Sequence, residues 1–166
     1  MNSRVFLAGL AKAVFGLTLF PTTQVAQAAA TLIKPKAQWK TLLPANNYSV
    51  LFEENTERAG SSALDHEKRG GVFVCFACYF PLFKSEFKFN SGTGWPSFFD
   101  VLPGAIDKRR DFALIFPRTE YHCARCGGHQ GHVFTDGPKP HGLRYCNNGV
   151  ALRFIPADQK LPDLRV

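Results

Sequence analysis

One cysteine is set apart from the other four by its spacing. The chain has five cysteines, and four of them form two C-x-x-C pairs, whereas Cys146 stands alone in "GLRYCNNG". A cysteine without a partner is a reactive thiol, half of an intermolecular disulfide, or a buried and inert residue. The residues around it help to decide among these three.

The neighbours of Cys146 favour a reactive thiol. Residues two apart on an extended strand share a face, so Arg144, Cys146 and Asn148 are predicted to point the same way. A nearby arginine favours the thiolate, which is the nucleophilic form of cysteine. His129 and His132, in "GGHQGHVF", are candidates for proton transfer. A lone histidine is more commonly a core or surface residue, but two beside this strand predict a nucleophilic site.

The other four cysteines have the spacing of a structural metal site. Cys75 and Cys78 form one knuckle and Cys123 and Cys126 form another, so each tight turn presents two thiolates. Four sulfurs at tetrahedral corners suit Zn²⁺, with Zn–S about 2.3 Å, and such a closed site is structural rather than catalytic. Because 44 residues separate the knuckles, a folded domain must bring them together. Two disulfides are the alternative in an oxidising compartment.

Residues 1–28 have the layout of a secretory signal peptide. A basic start, "MNSR", precedes the apolar stretch "VFLAGLAKAVFGLTLF", and Ala26-Gln27-Ala28 fits a cleavage site. An uncleaved membrane anchor is the alternative, but this stretch contains Lys12 and is short, because a span needs about 20 apolar residues. The segment is poor in Arg and Ser, which disfavours a transit peptide. We therefore expect an exported protein, periplasmic or secreted, attached to a membrane only if the segment is uncleaved.

The remaining chain is expected to be a linker, residues 29–38, and one domain, residues 39–160. Sixteen Phe, fourteen Gly and eleven Pro favour strands and turns. A helix is predicted in "LLPANNYSVLFEENTERAG", starting near Pro44 and ending at Gly60. Strands are predicted in "GGVFVC", "DFALIFPRTEYHC", "HVF", "LRYC" and "VALRFIPA". The predicted fold is mainly β and antiparallel, with a small helical lead-in. The net charge is +7, but no long Lys/Arg run indicates nucleic-acid binding.

Several stretches resemble the type B methionine sulfoxide reductases, which reduce the R epimer of methionine sulfoxide. The matching stretches, which run in the family's order, are "YSVLFEENTER", "CFACYFPLF", "KFNSGTGWPSF", "RTEYHCARCGGHQGHVFTDGP", "GLRYCNN" and "ALRF". Together they cover roughly residues 48–154. The resemblance implies two twisted antiparallel sheets with short N-terminal helices, and oxidised proteins as the substrates.

The resemblance also implies roles for the site residues. Cys146 matches the nucleophile, which is left as a sulfenic acid, and Trp95 matches the indole that cradles the substrate's methyl group. His129 and His132 match the histidines that hold water and supply a proton to the sulfoxide oxygen. Arg144 matches the residue that stabilises the thiolate, and Asn148 matches a polar orienter. The structural zinc ligands of the zinc-bearing branch are matched by Cys75, Cys78, Cys123 and Cys126.

One position departs from the family in a way that affects the chemistry. Many members read "SGCGWPS" and use that cysteine to resolve the sulfenic acid, but Thr93 stands there in this chain. The resemblance therefore implies an external reductant, which is a small thiol, a glutaredoxin or a thioredoxin. Tyr79 and Phe52 also depart from the family pattern, outside the proposed chemistry. We expect a monomer.

Two other functions fit parts of the sequence. The basic charge and the two knuckles also suit a non-enzymatic zinc module that binds nucleic acid or protein. Salt-dependent affinity for DNA or RNA would identify such a module. Cys146 with a histidine would also suit a cysteine hydrolase, which cleaves an ester or amide without consuming a reductant.

Overall fold

The computed structural model describes residues 31–111 and 118–166. The predicted signal peptide lies outside these ranges, and so do residues 112–117 of the predicted strand "DFALIFPRTEYHC". Within the described ranges, no helix combines the length and apolarity needed to cross a bilayer.

Two short helices open the described chain, α1 (Lys36–Leu42) and α2 (Ala45–Glu53). A proline caps each helix at its N-terminus, as predicted for Pro44. The buried Trp39 of α1 stacks on Phe52 of α2 with ring centroids 5.3 Å apart. Helix α1 begins inside the expected linker, and α2 ends before the predicted Gly60. The earlier end has a local cause, because Glu54 adopts a left-handed conformation with φ of 58°.

In residues 31–111 and 118–166, nine strands form two antiparallel sheets, which confirms the predicted fold class. The three-stranded sheet has the order β2-β1-β9, and the six-stranded sheet has the order β3-β4-β8-β7-β6-β5. The strands are β1 (Gly71–Cys75), β2 (Pro81–Lys84), β3 (Lys88–Phe89), β4 (Ser97–Phe98), β5 (Ile106–Asp111), β6 (Arg118–Cys123), β7 (His129–Phe134), β8 (Arg144–Asn147) and β9 (Leu152–Pro156). Short 3₁₀ turns occur at Ala63–His66, Ser85–Phe87 and Gly149–Ala151.

Aromatic side chains join the two sheets. Phe83 of β2 stacks on Phe98 of β4 with centroids 4.1 Å apart, and Phe73 of β1 meets the edge of Phe98 at 5.0 Å. All three are fully buried, and such pairs add about 0.5–1.5 kcal/mol each beyond their burial. This packing fixes the short strand β4, which pairs directly with the strand that carries Cys146.

Candidate active site and metal centre

Cys146 lies near the middle of the larger sheet. Strand β8 pairs with β7 on one side, where Cys146 faces His132, and with β4 on the other, where Cys146 faces Ser97. The β7 backbone comes very close at Gly131, because a Cβ there would lie 1.9 Å from the Cys146 carbonyl oxygen. Glycine at this position therefore allows β7 and β8 to approach, and it brings the histidine strand to the cysteine.

A cavity of about 230 Å³ opens over this part of the sheet. The structure brings four predicted site residues together on its wall, namely Trp95, His132, Cys146 and Asn148. The other lining residues are Thr56, Arg118, Gly131, Phe134 and Asn147. Trp95 and Phe134 give the cavity aromatic surface beside the thiol. The site therefore combines a nucleophile, a titratable ring, an amide and an apolar wall.

The Cys146 thiol is only partly accessible, and its surroundings act on its pKa in opposite directions. Burial raises the pKa, whereas the Arg144 charge and a hydrogen bond with the Thr93 hydroxyl lower it without cancelling the effect of burial. Arg144 lowers the pKa of Cys146, as the sequence predicts, but the pKa of this thiol still lies above the ordinary range. The thiol is therefore mainly protonated at neutral pH.

Arg144 is held beside the cavity rather than in its lining. Its Nε and Nη2 donate to the two carboxylate oxygens of Asp136 at 2.9 Å each, and its guanidinium lies over the Phe134 ring at 4.3 Å. A bidentate pair of this kind fixes the guanidinium plane. Arg144 thus influences Cys146 by its charge and also supports the Phe134 ring that lines the cavity.

His132 has a carboxylate partner that the sequence reasoning did not identify. Its Nε2 lies 3.0 Å from Asp111 Oδ2, which also accepts from Arg118 at 2.8 Å. Burial lowers the pKa of His132, although the Asp111 hydrogen bond acts in the opposite direction. With an ionised Asp111, a neutral His132 must carry its proton on Nε2, which leaves Nδ1 as the ring acceptor. The carboxylate therefore selects the histidine tautomer.

His129 occupies a different environment from His132. Its ring is 1% exposed, lies 5.4 Å from the His132 ring between centroids, and is not among the described residues that line the cavity. Burial, with His122 and His132 nearby, lowers the pKa of His129 to about 3. The structure therefore places the two predicted histidines side by side, with only His132 at the cavity.

Glu57 connects the walls of the site. Its carboxylate accepts from the backbone N–H groups of Gly149 and Val150, the latter at 3.1 Å. Its own N–H donates to Asn148 Oδ1 at 3.1 Å, and its carbonyl accepts from the Trp95 indole at 3.2 Å. The side chain is buried, which raises its pKa. The segment after α2 therefore positions both Trp95 and Asn148.

The two cysteine knuckles follow the ends of β1 and β6, one strand from each sheet, and they come together. Sγ of Cys75 lies 3.7 Å from Sγ of Cys126, and Sγ of Cys78 lies 3.6 Å from Sγ of Cys123. Tetrahedral Zn–S bonds of about 2.3 Å place sulfurs about 3.8 Å apart, whereas a disulfide bond is about 2.05 Å long. All five cysteines are free thiols. The four-cysteine cluster therefore fits a metal ion, as predicted, rather than two disulfides.

Burial opposes ionisation of the cluster. It raises the pKa of Cys75, and hydrogen bonds with the other three sulfurs raise it further. Ionising all four buried thiols therefore requires a cation among them.

Sequence reasoning missed several residues of this site. Asp111, Phe134 and Glu57 each act through a three-dimensional contact that no local spacing indicates. Glu57 and Phe134 lie within stretches of the family resemblance, "ENTER" and "GHVF", which was the one signal that could have indicated them. Asp111 begins the stretch that was predicted as a single strand.

Comparisons with known proteins show the family to which the chain is similar. Residues 43–156 match the SelR domain family. The chain is 47% identical over 126 residues to a Bradyrhizobium diazoefficiens protein named peptide methionine sulfoxide reductase MsrB, covering 75% of this chain and 91% of the relative. A protein of the same name from Leptospira interrogans is 46% identical over 122 residues, covering 73% and 93%. The mouse protein named methionine-R-sulfoxide reductase B3, mitochondrial, is 48% identical over 120 residues, covering 72% of this chain and 47% of the relative.

Proposed function

The chain belongs to the type B family of peptide methionine sulfoxide reductases, and we propose that it reduces methionine-R-sulfoxide to methionine, mainly in oxidised proteins. The observation that carries this proposal is the cavity that joins Cys146 to His132 and Trp95. An oxidoreductase that repairs oxidised methionine needs these three elements, a thiol, a proton carrier and an apolar wall.

The reaction at Cys146 balances without an external proton. The Cys146 sulfur attacks the sulfoxide sulfur and forms a sulfur–sulfur bond. This bond breaks as methionine leaves with the electron pair, and the oxygen is transferred to Cys146 as a sulfenic acid. The sulfur–oxygen bond of the substrate breaks, a sulfur–oxygen bond forms on the cysteine, and the thiol proton ends on the oxygen. His132 relays this proton through Nδ1, which accepts the proton and returns it to the oxygen, while the Nε2 proton stays on the hydrogen bond to Asp111.

The cavity wall accounts for substrate binding. A methyl sulfoxide offers one polar oxygen and an apolar methyl group, so an aromatic surface is the natural complement to the methyl. Trp95 and Phe134 supply this surface, and Glu57 and Arg144 hold the two rings from behind. Asn148, fixed by its hydrogen bonds to Glu57 and to the Gln130 carbonyl, orients the polar end.

The second half of the cycle uses an external thiol. Two small thiols, or one dithiol of a glutaredoxin or thioredoxin, reduce the sulfenic acid to the thiol and release water and a disulfide. In this chain the other four cysteines form the metal cluster, and Thr93 contacts the Cys146 thiol where many relatives are expected to carry a resolving cysteine. The spacing of the four sulfurs supports zinc as the structural metal, bound as one ion per chain.

The N-terminal sequence supports export to the periplasm or outside the cell, with the signal segment removed near Ala28. Determining the N-terminus of the native protein and its location by fractionation tests this proposal. A protein that retains Met1 in the soluble cytoplasm would contradict it.

The activity is tested with each epimer of dabsylated methionine sulfoxide and dithiothreitol as the reductant. We expect methionine to form from the R epimer and negligibly from the S epimer, because a chiral cavity discriminates between epimers and a relative is named a methionine-R-sulfoxide reductase. Cys146→Ser is expected to abolish turnover, since a neutral hydroxyl is a weak nucleophile. Equal rates on the two epimers, or undiminished turnover by Cys146→Ser, would refute the proposal.

A further inference from the structure

A second cluster of metal-ligating side chains lies beside the active site, on β6 and β7. It consists of Glu120, His122 and His129, and one ligand atom from each lies within 4.8 Å of the others. The two strands bring them together through a register irregularity between Tyr121 and His122, after which His122 faces His129. We call these three residues the His–Glu cluster. It shares no residue with the four-cysteine cluster.

The two histidines of the His–Glu cluster are deeply buried and lack hydrogen-bond partners. His122 is 2% exposed and His129 is 1% exposed, and none of their four ring nitrogens makes a hydrogen bond with the part of the chain that is described. A buried polar atom without a partner costs about 1–3 kcal/mol. Two such rings, side by side with centroids 5.4 Å apart, call for a ligand that both can bind.

The distances suit a metal ion shared by the three residues. His129 Nδ1 lies 3.5 Å from Glu120 Oε2, and His122 Nε2 lies 3.8 Å from Glu120 Oε1. Tetrahedral bonds of about 2.0–2.2 Å to nitrogen and oxygen place ligand atoms about 3.3–3.6 Å apart, so the three residues must close from separations of up to 4.8 Å to bind one ion. Two imidazoles and one carboxylate form a donor set that Zn²⁺ and similar divalent ions use in proteins.

The charges around the His–Glu cluster favour a cation, and one side of the cluster is accessible. The exposed carboxylate of Glu54 lies 4.0 Å from His122 Nε2, and Asp107 pairs with His122 across the β5–β6 ladder. Arg109, which pairs with Glu120, and Arg118 oppose a cation, whereas Asp111 adds a further carboxylate nearby. The carboxylates around the site therefore outnumber the guanidinium groups, and the exposed Glu54 marks its accessible side.

We propose that Glu120, His122 and His129 form a second metal site, which binds a divalent transition-metal ion of the zinc class, with Glu54 as an additional carboxylate ligand at its open side. This site is separate from the structural four-cysteine cluster and is weaker, because two of its ligands are neutral imidazoles and its fourth ligand, Glu54, is exposed.

The test measures how many zinc ions the purified full chain binds. Elemental analysis first establishes the tightly held ion, and titration with Zn²⁺ in a buffer that does not chelate metal then measures further binding by calorimetry. The titration is performed in a Cys146→Ser background, so that the active-site thiol cannot capture the metal. We expect one further equivalent in this background. The absence of a second equivalent would overturn the proposal.

Substitutions assign the second equivalent to its ligands. His122→Gln and Glu120→Gln should each weaken the second zinc at least tenfold, whereas His141→Gln, at an exposed histidine elsewhere, should leave it unchanged. Each variant must retain the first zinc and its near-ultraviolet circular dichroism, which shows that it folds. If His122→Gln fails this check, Glu120→Gln, whose carboxylate is partly accessible, carries the test. Unchanged affinity in a folded His122→Gln or Glu120→Gln variant would overturn the assignment.

Histidine ring resonances give a second readout. In a nitrogen-15 spectrum of the Cys146→Ser protein, added Zn²⁺ should shift the ring nitrogens of His122 and His129 and leave those of His66 and His141 in place. Shifts confined to His66 or His141 would place the metal elsewhere on the surface and refute the site.

Discussion

At the scale of single residues, Cys146 is a protonated thiol at neutral pH rather than a preformed thiolate. Burial outweighs the Arg144 charge and the Thr93 hydroxyl, so the thiol pKa lies above its ordinary range. His132 is neutral for the same reason, since burial lowers its pKa. Near neutral pH the site therefore holds a thiol and a neutral imidazole, and this pair carries the single proton that the sulfenic acid requires.

This protonation state predicts how Cys146 reacts with iodoacetamide. Because only the thiolate is alkylated, the rate should rise with pH through the alkaline range, with a midpoint above that of an ordinary cysteine. Arg144→Met should move the midpoint higher still, since the guanidinium lowers the pKa. Mass spectrometry of the Cys146 peptide measures the rate, and Cys146→Ser provides the blank. A midpoint below the ordinary cysteine range would contradict the burial argument.

Because Thr93 stands where many family members carry the resolving cysteine, we expect the oxidised Cys146 to remain a sulfenic acid. With one equivalent of substrate and no reductant, the wild type should release about one methionine and become reactive to dimedone at Cys146. Thr93→Cys, at a side chain that already contacts the thiol, should form a disulfide with Cys146 and lose dimedone labelling. Thioredoxin should then recycle the variant faster than the wild type. A disulfide between Cys146 and a cluster cysteine in the oxidised wild type would contradict this account.

At the scale of elements, the turn after β8 depends on Glu57, which lies on a different part of the chain. Glu57→Gln retains the backbone bonds to Trp95 and Asn148 but turns one acceptor of the Gly149 and Val150 N–H groups into a donor. The loss of one buried hydrogen bond should lower the free energy of unfolding by about 1–3 kcal/mol. Urea unfolding measures this change.

The matched control for Glu57→Gln is Glu53→Gln, at an exposed carboxylate in the last turn of α2. A surface change of this kind should stay within about 0.5 kcal/mol of the wild type. Equal effects of the two substitutions would show that the Glu57 carboxylate does not support the turn.

The sequence predicts the central elements of this fold better than its edges. Strands β1 and β8 have strong apolar or family signals, and Pro44 marks the start of α2 correctly. Strand β5 reads "IDKRRD" and lies at a sheet edge with its middle four residues exposed, so no apolar alternation indicates it. The α2 end at Glu53 was missed because a left-handed Glu54 has no composition signal.

The sequence also predicts the candidate site only in part. Residue types and family motifs identified Cys146, Trp95 and His132, which line one cavity. The partners that orient them, Asp111 and Glu57, were missed because each contact joins segments far apart in the sequence. Hydrogen bonds between distant segments depend on the folded sheet, and no short-range pattern encodes them.

At the scale of the whole molecule, the four-cysteine cluster is predicted to govern stability. Removing its metal with a chelator, or replacing one of its cysteines with serine, should strongly lower the unfolding temperature, because metal binding free energy contributes directly to folding. Thermal unfolding with elemental analysis of the same samples measures both quantities. Zinc-free protein that unfolds at the wild-type temperature would show that the metal is not structural.

The position of the cluster in the chain has a consequence for the substrate wall. Cys78 and Cys123 bracket a loop of 44 residues that contains Thr93 and Trp95, whereas His132 and Cys146 follow it. A cross-link closing a loop of this length lowers the entropy of the unfolded chain by the equivalent of about 4 kcal/mol at 25 °C. A metal bound by the four cysteines would therefore constrain the segment that carries Trp95, the residue proposed to contact the substrate's methyl group. Loss of the metal should free this segment more than β7 and β8, which lie outside the loop and carry His132 and Cys146. Affinity for the sulfoxide should therefore decline before the Cys146 thiol loses its reactivity.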